Sequence, residues 1–222
     1  MMDRSSRTHV VFLGGPGVRY EERLPPAPLR PWVAVSWRIK AERPFDLRIV
    51  PDGCMDIIRG DAIGSFGGHE IARLEPGVVY EGLRFHPGGF PALVGVPADE
   101  LIGLRVPLAD LAKEHDLLRL AREAPPPDPL AAASSVSADV RTLAREVGYS
   151  ERQLRRRVLA ATGHSPKRMA RIGRMQRLLK AGRGESWART AAEHGFYDEA
   201  HMAADVRELA GATPHALMSV SS

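Results

Sequence analysis

The sequence predicts an α+β unit followed by an all-α unit built as a double helix-turn-helix. Alternating apolar residues of the strand type occupy the first half of the chain. A proline run, Ala124-Pro125-Pro126-Pro127-Asp128-Pro129, interrupts the pattern. Behind it come short apolar-periodic segments, several opened by Ser, Thr or Asp and closed by Gly. Charge is uneven too. Residues 140–183 hold thirteen Lys/Arg and only two acids, Glu146 and Glu151, leaving 18 basic against 25 acidic residues elsewhere. A polyanion is therefore the first partner to consider.

At 222 residues and 44% apolar, the chain suits one large domain or two small ones with a real core. A single cysteine, Cys54, excludes an internal disulfide framework and any multi-cysteine metal site. No run of about 18 apolar residues is present, and the early run 9–13 is too short for a secretory segment, so a soluble cytoplasmic protein is expected. Residues 1–17 read as a loose tail, 18–123 as the α+β unit, 124–137 as a Pro/Ala/Ser-rich linker and 138–222 as the helical unit.

In the first unit Val33, Val35, Trp37 and Ile39 alternate with Ala34, Ser36 and Arg38, a half-buried strand pattern. Residues 47–50 and 55–58 read as short strands flanking the turn Pro51-Asp52-Gly53. Gly64, Gly67 and Gly68 mark another turn, and residues 78–85 a further strand ended by His86-Pro87-Gly88-Gly89. Residues 99–103 and 108–123 read as helices.

In the second unit residues 138–147 form a helix ended by Gly148, and Ser150 caps a second over 151–160, stopped by Gly163. Ser165-Pro166 is an N-cap with a first-turn proline and starts a third helix over 166–180, closed by Gly182-Arg183-Gly184. Ser186 opens a fourth, ended by Gly195; Asp198 caps a fifth over 199–210, ended by Gly211; Thr213-Pro214 opens a last turn. The helix–turn–helix unit thus occurs twice.

The second helix of such a motif enters the DNA major groove, so one face needs long cationic side chains and the other apolar ones. Leu154 and Val158, four residues apart, face the core, while Arg152, Arg155 and Arg156 fall on another face and are the expected base contacts. Ser150, Lys167, Arg168, Arg171 and Arg174 are expected to touch the DNA backbone, which positions without specifying. A merely solvated basic face is the bland alternative; the coincidence of charge, turns and caps argues against it.

Residues 140–218 resemble the DNA-binding domain of the AraC/XylS family of bacterial transcription regulators. The first motif is Leu143-Ala144-Arg145-Glu146-Val147-Gly148-Tyr149-Ser150-Glu151-Arg152-Gln153-Leu154-Arg155-Arg156 with Thr162-Gly163-His164-Ser165-Pro166. The second is Ala191-Ala192-Glu193-His194-Gly195-Phe196-Tyr197-Asp198-Glu199-Ala200-His201-Met202 with Leu209-Ala210-Gly211-Ala212-Thr213-Pro214. The resemblance implies two helix-turn-helices joined by a central helix, double-stranded DNA and RNA polymerase as partners, and no cofactor. Two departures stand out. Ala204 occupies the place of the usual groove-face arginine in a helix that also carries Glu199, Ala200, Ala203, Asp205 and Glu208, so this second motif is expected to bind weakly. The helix before the first motif is reduced to residues 129–137, rich in Ala and Ser.

Residues 20–123 resemble the N-terminal domain of a subset of these regulators, through Trp32, Trp37, the Pro51-Asp52-Gly53-Cys54-Met55-Asp56 motif and Gly82-Leu83-Arg84-Phe85-His86-Pro87-Gly88-Gly89. The resemblance implies a small, β-rich, cupin-like unit that senses a small molecule or mediates homodimer formation. Trp32, Trp37, Cys54 and Phe85 are the candidate pocket residues, with Phe66 and Phe90 as further aromatics. Cys54 as a redox sensor is disfavoured by Asp52 and Asp56, which would raise its pKa. A metal site from His69, His86 and those acids lacks tight ligand spacing, so no metal is expected. A cysteine-based DNA-repair enzyme would need more than one Cys. The remaining alternatives are DNA binding without sequence preference and a weakened DNA-binding domain in a protein that acts mainly through protein contacts.

Overall fold

The computed structural model describes residues 14–112, 116–136, 139–182 and 186–219. Most of the tail expected at 1–17 lies outside these residues. The first unit is β-rich. Strands β1 (Val18–Arg23), β2 (Val33–Ala41), β4 (Asp56–Ile58), β5 (Asp61–Ile63), β7 (Val79–Phe85) and β8 (Arg105–Pro107) form an antiparallel sheet in the order β1-β2-β7-β4-β5-β8. Strands β3 (Phe45–Ile49) and β6 (Glu70–Leu74) pair separately. The turn between β4 and β5 places Arg59 and Gly60 at φ 52° and 87°. Both lie in the left-handed region, as the two central residues of a type I′ hairpin require.

Side chains from the two sheets meet around Ile39, Ala41 and Leu74. The other face of the large sheet is covered by helix α1 (Gly89–Val94), where Phe85 and Phe90 lie edge to face at 5.1 Å, both fully buried. The helix expected over 108–123 is interrupted: α2 (Leu108–Leu111) ends where Ala112 turns extended, and Asp116 caps α3 (Leu117–Glu123). The one expected over 99–103 is a single tight turn, Ala98–Glu100.

The second unit is helical: α4 (Pro129–Val136), α5 (Val140–Glu146), α6 (Glu151–Thr162), α7 (Pro166–Ala181), α8 (Trp187–Glu193), α9 (Glu199–Ala210) and α10 (Pro214–Ser219). Local chemistry sets the boundaries. Ser150, Ser165, Ser186 and Asp198 each accept a backbone N–H of the first turn that follows. One core joins these helices through Leu154, Val158, Met169, Ile172, Met175, Leu178, Val206 and Leu209, all fully buried. The shortened α4 packs closely on α7: a Cβ placed at Gly173 would stand 1.9 Å from the Ser135 carbonyl oxygen. The small residues of α4 let the two backbones approach, so its composition serves its packing.

The units interlock. Gln176 Nε2 donates to the Pro51 carbonyl at 2.8 Å, and a Cβ at Gly53 would meet Met169 at 2.5 Å. Ser65 Oγ is 2.7 Å from His164 Nε2. Arg48 donates to the Ala210 carbonyl at the end of α9 at 2.9 Å, and a Cβ at Gly211 would stand 2.1 Å from the His69 ring. Trp32 Nε1 donates to the Pro125 carbonyl at 2.8 Å, which fastens the proline run to the first unit.

Candidate nucleic-acid interface

Helix α6 is fixed from below and at its start. Leu154 and Val158 have no exposed surface. Ser150 Oγ accepts from Gln153 N at 3.3 Å while Gln153 Oε1 accepts from Ser150 N at 2.9 Å, a reciprocal capping box. Gln153 Oε1 also accepts from the Ser150 hydroxyl at 2.8 Å, so this side chain is engaged within the cap and not directed outward. Arg152, Arg155 and Arg156 are exposed on the outer side. Arg155 forms an ion pair with Glu151 at 2.8 Å. Arg157 turns away, bonding Asp128 at 2.8 Å and the Tyr149 hydroxyl at 2.9 Å, with its guanidinium 4.8 Å from the Tyr149 ring.

The N-termini of α5, α6 and α7 converge on a shallow depression lined by Arg141, Arg155 and Lys167 and by the carboxylates Asp139 and Glu151, the latter 3.5 Å from Arg141 and 2.8 Å from Arg155. Each start is capped by its own side chain, Asp139, Ser150 or Ser165, so what the depression offers a phosphate is the positive dipole ends and the cations. Arg141 was not singled out from sequence; its place in the first turn of α5 was the available signal.

Three of the expected backbone contacts are engaged within the protein. Arg168, Arg171 and Arg174 have side chains only 28%, 20% and 19% exposed, and α9 holds them. Arg171 binds Asp205 at 2.8 Å and also Glu208; Arg174 binds the other Asp205 oxygen at 3.0 Å and lies 4.9 Å from the Phe196 ring. Arg168 binds Glu208 at 2.9 Å and donates to the Gly67 carbonyl. The hydrogen bond from Arg171 holds the Glu208 carboxyl below its ordinary range. Two of the acids expected to repel phosphate, Asp205 and Glu208, are therefore engaged by these arginines. Periodicity alone does not tell a groove-facing arginine from one turned onto a neighbouring helix.

On α9, Glu199, Ala200 and Ala204 are exposed and Ala203 is half-buried. Exposed Arg207 follows Ala200 and Ala204 at helical spacing, so this face carries one cation.

In the first unit a cavity of about 170 Å³ lies between the sheets and α7. Of the expected pocket residues Trp37 lines it, as does Phe66, whereas Trp32, Phe85 and Cys54 do not. Trp32 and Phe85 belong to the core beneath α1, because bulk and aromaticity do not distinguish core from cavity wall. Cys54 is buried, and burial and then Asp52 push its thiol pKa up, which opposes nucleophilic sensing. Asp52 and Asp56 hold Arg84 at 3.1 and 3.0 Å, while His69 sits against Gly211. Among the described residues no group of three His, Cys, Asp or Glu is placed to hold a metal ion.

Comparison with known families matches residues 143–219 to a helix-turn-helix domain of AraC type and residues 21–107 to a domain of unknown function, DUF6597. Comparison with curated proteins and with solved structures gave no significant match. The two matched domains together are consistent with an AraC-family regulator, and the helix-turn-helix match supports a DNA-binding transcription regulator. No helix among the described residues is long and apolar enough to cross a membrane.

Proposed function

We propose that the chain regulates transcription by sequence-specific binding to double-stranded DNA, with α6 as the dominant reader. Arg152, Arg155 and Arg156 contact bases, Arg forks being suited to guanine O6 and N7. Lys167 and Arg141 contact phosphate at the convergent helix starts, and α9 adds shape and one cation through Arg207. Arg168, Arg171 and Arg174 position α7 against α9. The N-terminal unit senses a small molecule or joins two copies, and RNA polymerase is the partner through which bound protein acts, in the cytoplasm.

The observation that carries this reading is the combination on α6 of a fully buried Leu154/Val158 underside with three exposed arginines. Selection of sites from a random DNA library by the full chain at about 150 mM salt tests it, since non-specific attraction fades as salt rises. An enriched motif is the expected result, and its length reports whether one helix or both read bases. No enrichment, with affinity that follows salt alone, leaves a non-specific binder.

A further inference from the structure

The helix-turn-helix occurs twice in this chain, and the two copies differ in the length of the turn. Leu154, Val158 and Gly163 are matched by Met202, Val206 and Gly211, each 48 residues later. Tyr149 is matched by Phe196, only 47 later. Both donate their backbone N–H at 2.9 Å to an alanine carbonyl of the preceding helix, Ala144 or Ala191. Both rings also lie under a guanidinium, Arg157 at 4.8 Å and Arg174 at 4.9 Å. The second turn therefore holds one extra residue, between Phe196 and the cap Asp198. That residue is Tyr197.

Tyr197 is pinned by its backbone. Its N–H donates to His201 Nδ1 at 3.1 Å, and Asp198 beside it accepts from His201 N at 2.7 Å. Phe196 on the other side is 5% exposed, whereas Tyr197 is 91% exposed. A fixed turn thus presents an unshielded phenol at the start of α9. On the outer face that follows, alanines stand where α6 has arginines: Ala200, Ala203 and Ala204 match Arg152, Arg155 and Arg156. The long side chains of this face lie at its ends, Tyr197 three residues before Ala200 and exposed Arg207 three after Ala204. Glu199, an exposed acid of the first turn, stands about 100° round the helix from Ala200.

Ten residues of helix rise about 15 Å, against a major groove about 12 Å wide. A helix of that reach, laid in the groove, brings its two ends to opposite phosphate strands. We propose that α9 spans the groove without reading bases and holds phosphate at both rims, Arg207 by its charge and Tyr197 by a neutral hydroxyl that donates to a phosphate oxygen. Tyr197 is then a positioning residue. This rests on the reading that the chain binds DNA through both motifs. A neutral donor adds affinity without displacing a counterion, so its salt signature differs from that of a lysine or arginine.

The test is binding of the full chain, of Tyr197→Phe and of Arg207→Ala to a duplex carrying the motif that the parent selects, over a series of salt concentrations. Tyr197→Phe should weaken binding about tenfold and leave the salt slope and the selected motif unchanged. Arg207→Ala should lower the slope by about 0.9. Single phosphates replaced by uncharged methylphosphonates should reveal one backbone position at which the gap between parent and Tyr197→Phe closes. Equal affinity of Tyr197→Phe and parent overturns the proposal. So does a changed motif, which would put the ring on a base, a gap that no methylphosphonate closes, or an unaltered slope in Arg207→Ala. If the parent selects a motif and Tyr197→Phe binds it equally well, only the rim contact falls. If the parent selects none, the reading of the chain as a sequence-specific regulator falls with it.

Discussion

Arg171 on the central helix and Asp205 on the second recognition helix lie 2.8 Å apart, and Arg174 closes on the other carboxylate oxygen at 3.0 Å. One carboxylate with 9% side-chain exposure thus serves two arginines and sets how α7 and α9 sit together. Asp205→Asn should lower stability by about 3 kcal/mol, because removing one member of a buried ionic group leaves the others uncompensated. Urea denaturation measures it. Arg171→Ala should likewise destabilise the fold and leave the salt dependence of binding to random DNA unchanged. A slope smaller by about 0.9 would instead make Arg171 a phosphate contact.

Gly173→Ala sets two effects against each other. Alanine in a helix interior is favoured over glycine by about 1 kcal/mol. The new Cβ, however, would stand 1.9 Å from the Ser135 carbonyl oxygen, which is backbone and cannot swing aside. Overpacking of this kind costs about 1–3 kcal/mol, so the variant should melt at a lower temperature than the parent. A higher melting temperature would show that α4 does not press on α7.

Arg156→Ala should weaken binding to a selected site by about 1–3 kcal/mol and relax preference at one base pair. Measured on specific and random duplexes side by side, an equal loss on both would place this side chain on phosphate.

Ala204→Arg should tighten binding and lengthen the selected motif, since Ala204 is exposed on the face that also carries Arg207. An unchanged affinity and motif would mean that α9 stays away from the groove.

His164 gives a pH signature. Burial, reinforced by nearby Arg168, lowers its pKa from 6.5 to about 4. The unfolded chain therefore binds a proton between those values while the folded chain does not, so stability falls as pH falls through this window. Between pH 7 and 5 the loss is about 2 kcal/mol. His86, also lowered by burial, acts in the same direction. His164→Gln should flatten the dependence by the share of His164; an unaltered slope would assign it to other groups.

The helical half was largely legible because its signals are local. A serine or aspartate followed by an apolar-periodic run caps its own helix wherever the rest of the chain lies, and Ser150, Ser165, Ser186 and Asp198 all do so. In the β-rich half the strands read over 33–39, 47–50, 55–58 and 78–85 correspond to β2, β3, β4 and β7, while β1, β5, β6 and β8 were not legible. Strand β3 pairs with β6 across more than twenty residues of sequence, and an Arg59-Gly60 turn lacks the Asn-Gly or Asp-Gly signature of a tight hairpin. Position 112 breaks the helix expected over 108–123 although its residues favour one, which shows tertiary context prevailing over propensity. At the interface, the exposed arginines of α6 were readable from spacing. The inward turn of Arg168, Arg171 and Arg174 was not, because their acidic partners lie more than thirty residues away on another helix.

The contact between Arg48 and the final carbonyl of α9 has a consequence for how this chain can be taken apart. A positive charge at a helix C-terminus complements its free carbonyls; α9 has Arg207 in its own last turn, and the other domain adds Arg48 directly on the last carbonyl. The proline run looks like a natural place to cut, yet a fragment starting there leaves behind Arg48, His69 and the Pro51 carbonyl. The DNA-binding half is thus not a freely portable cassette. Its second recognition helix is finished by residues translated more than a hundred positions earlier, and grafting it onto a foreign sensor would require those contacts to be rebuilt.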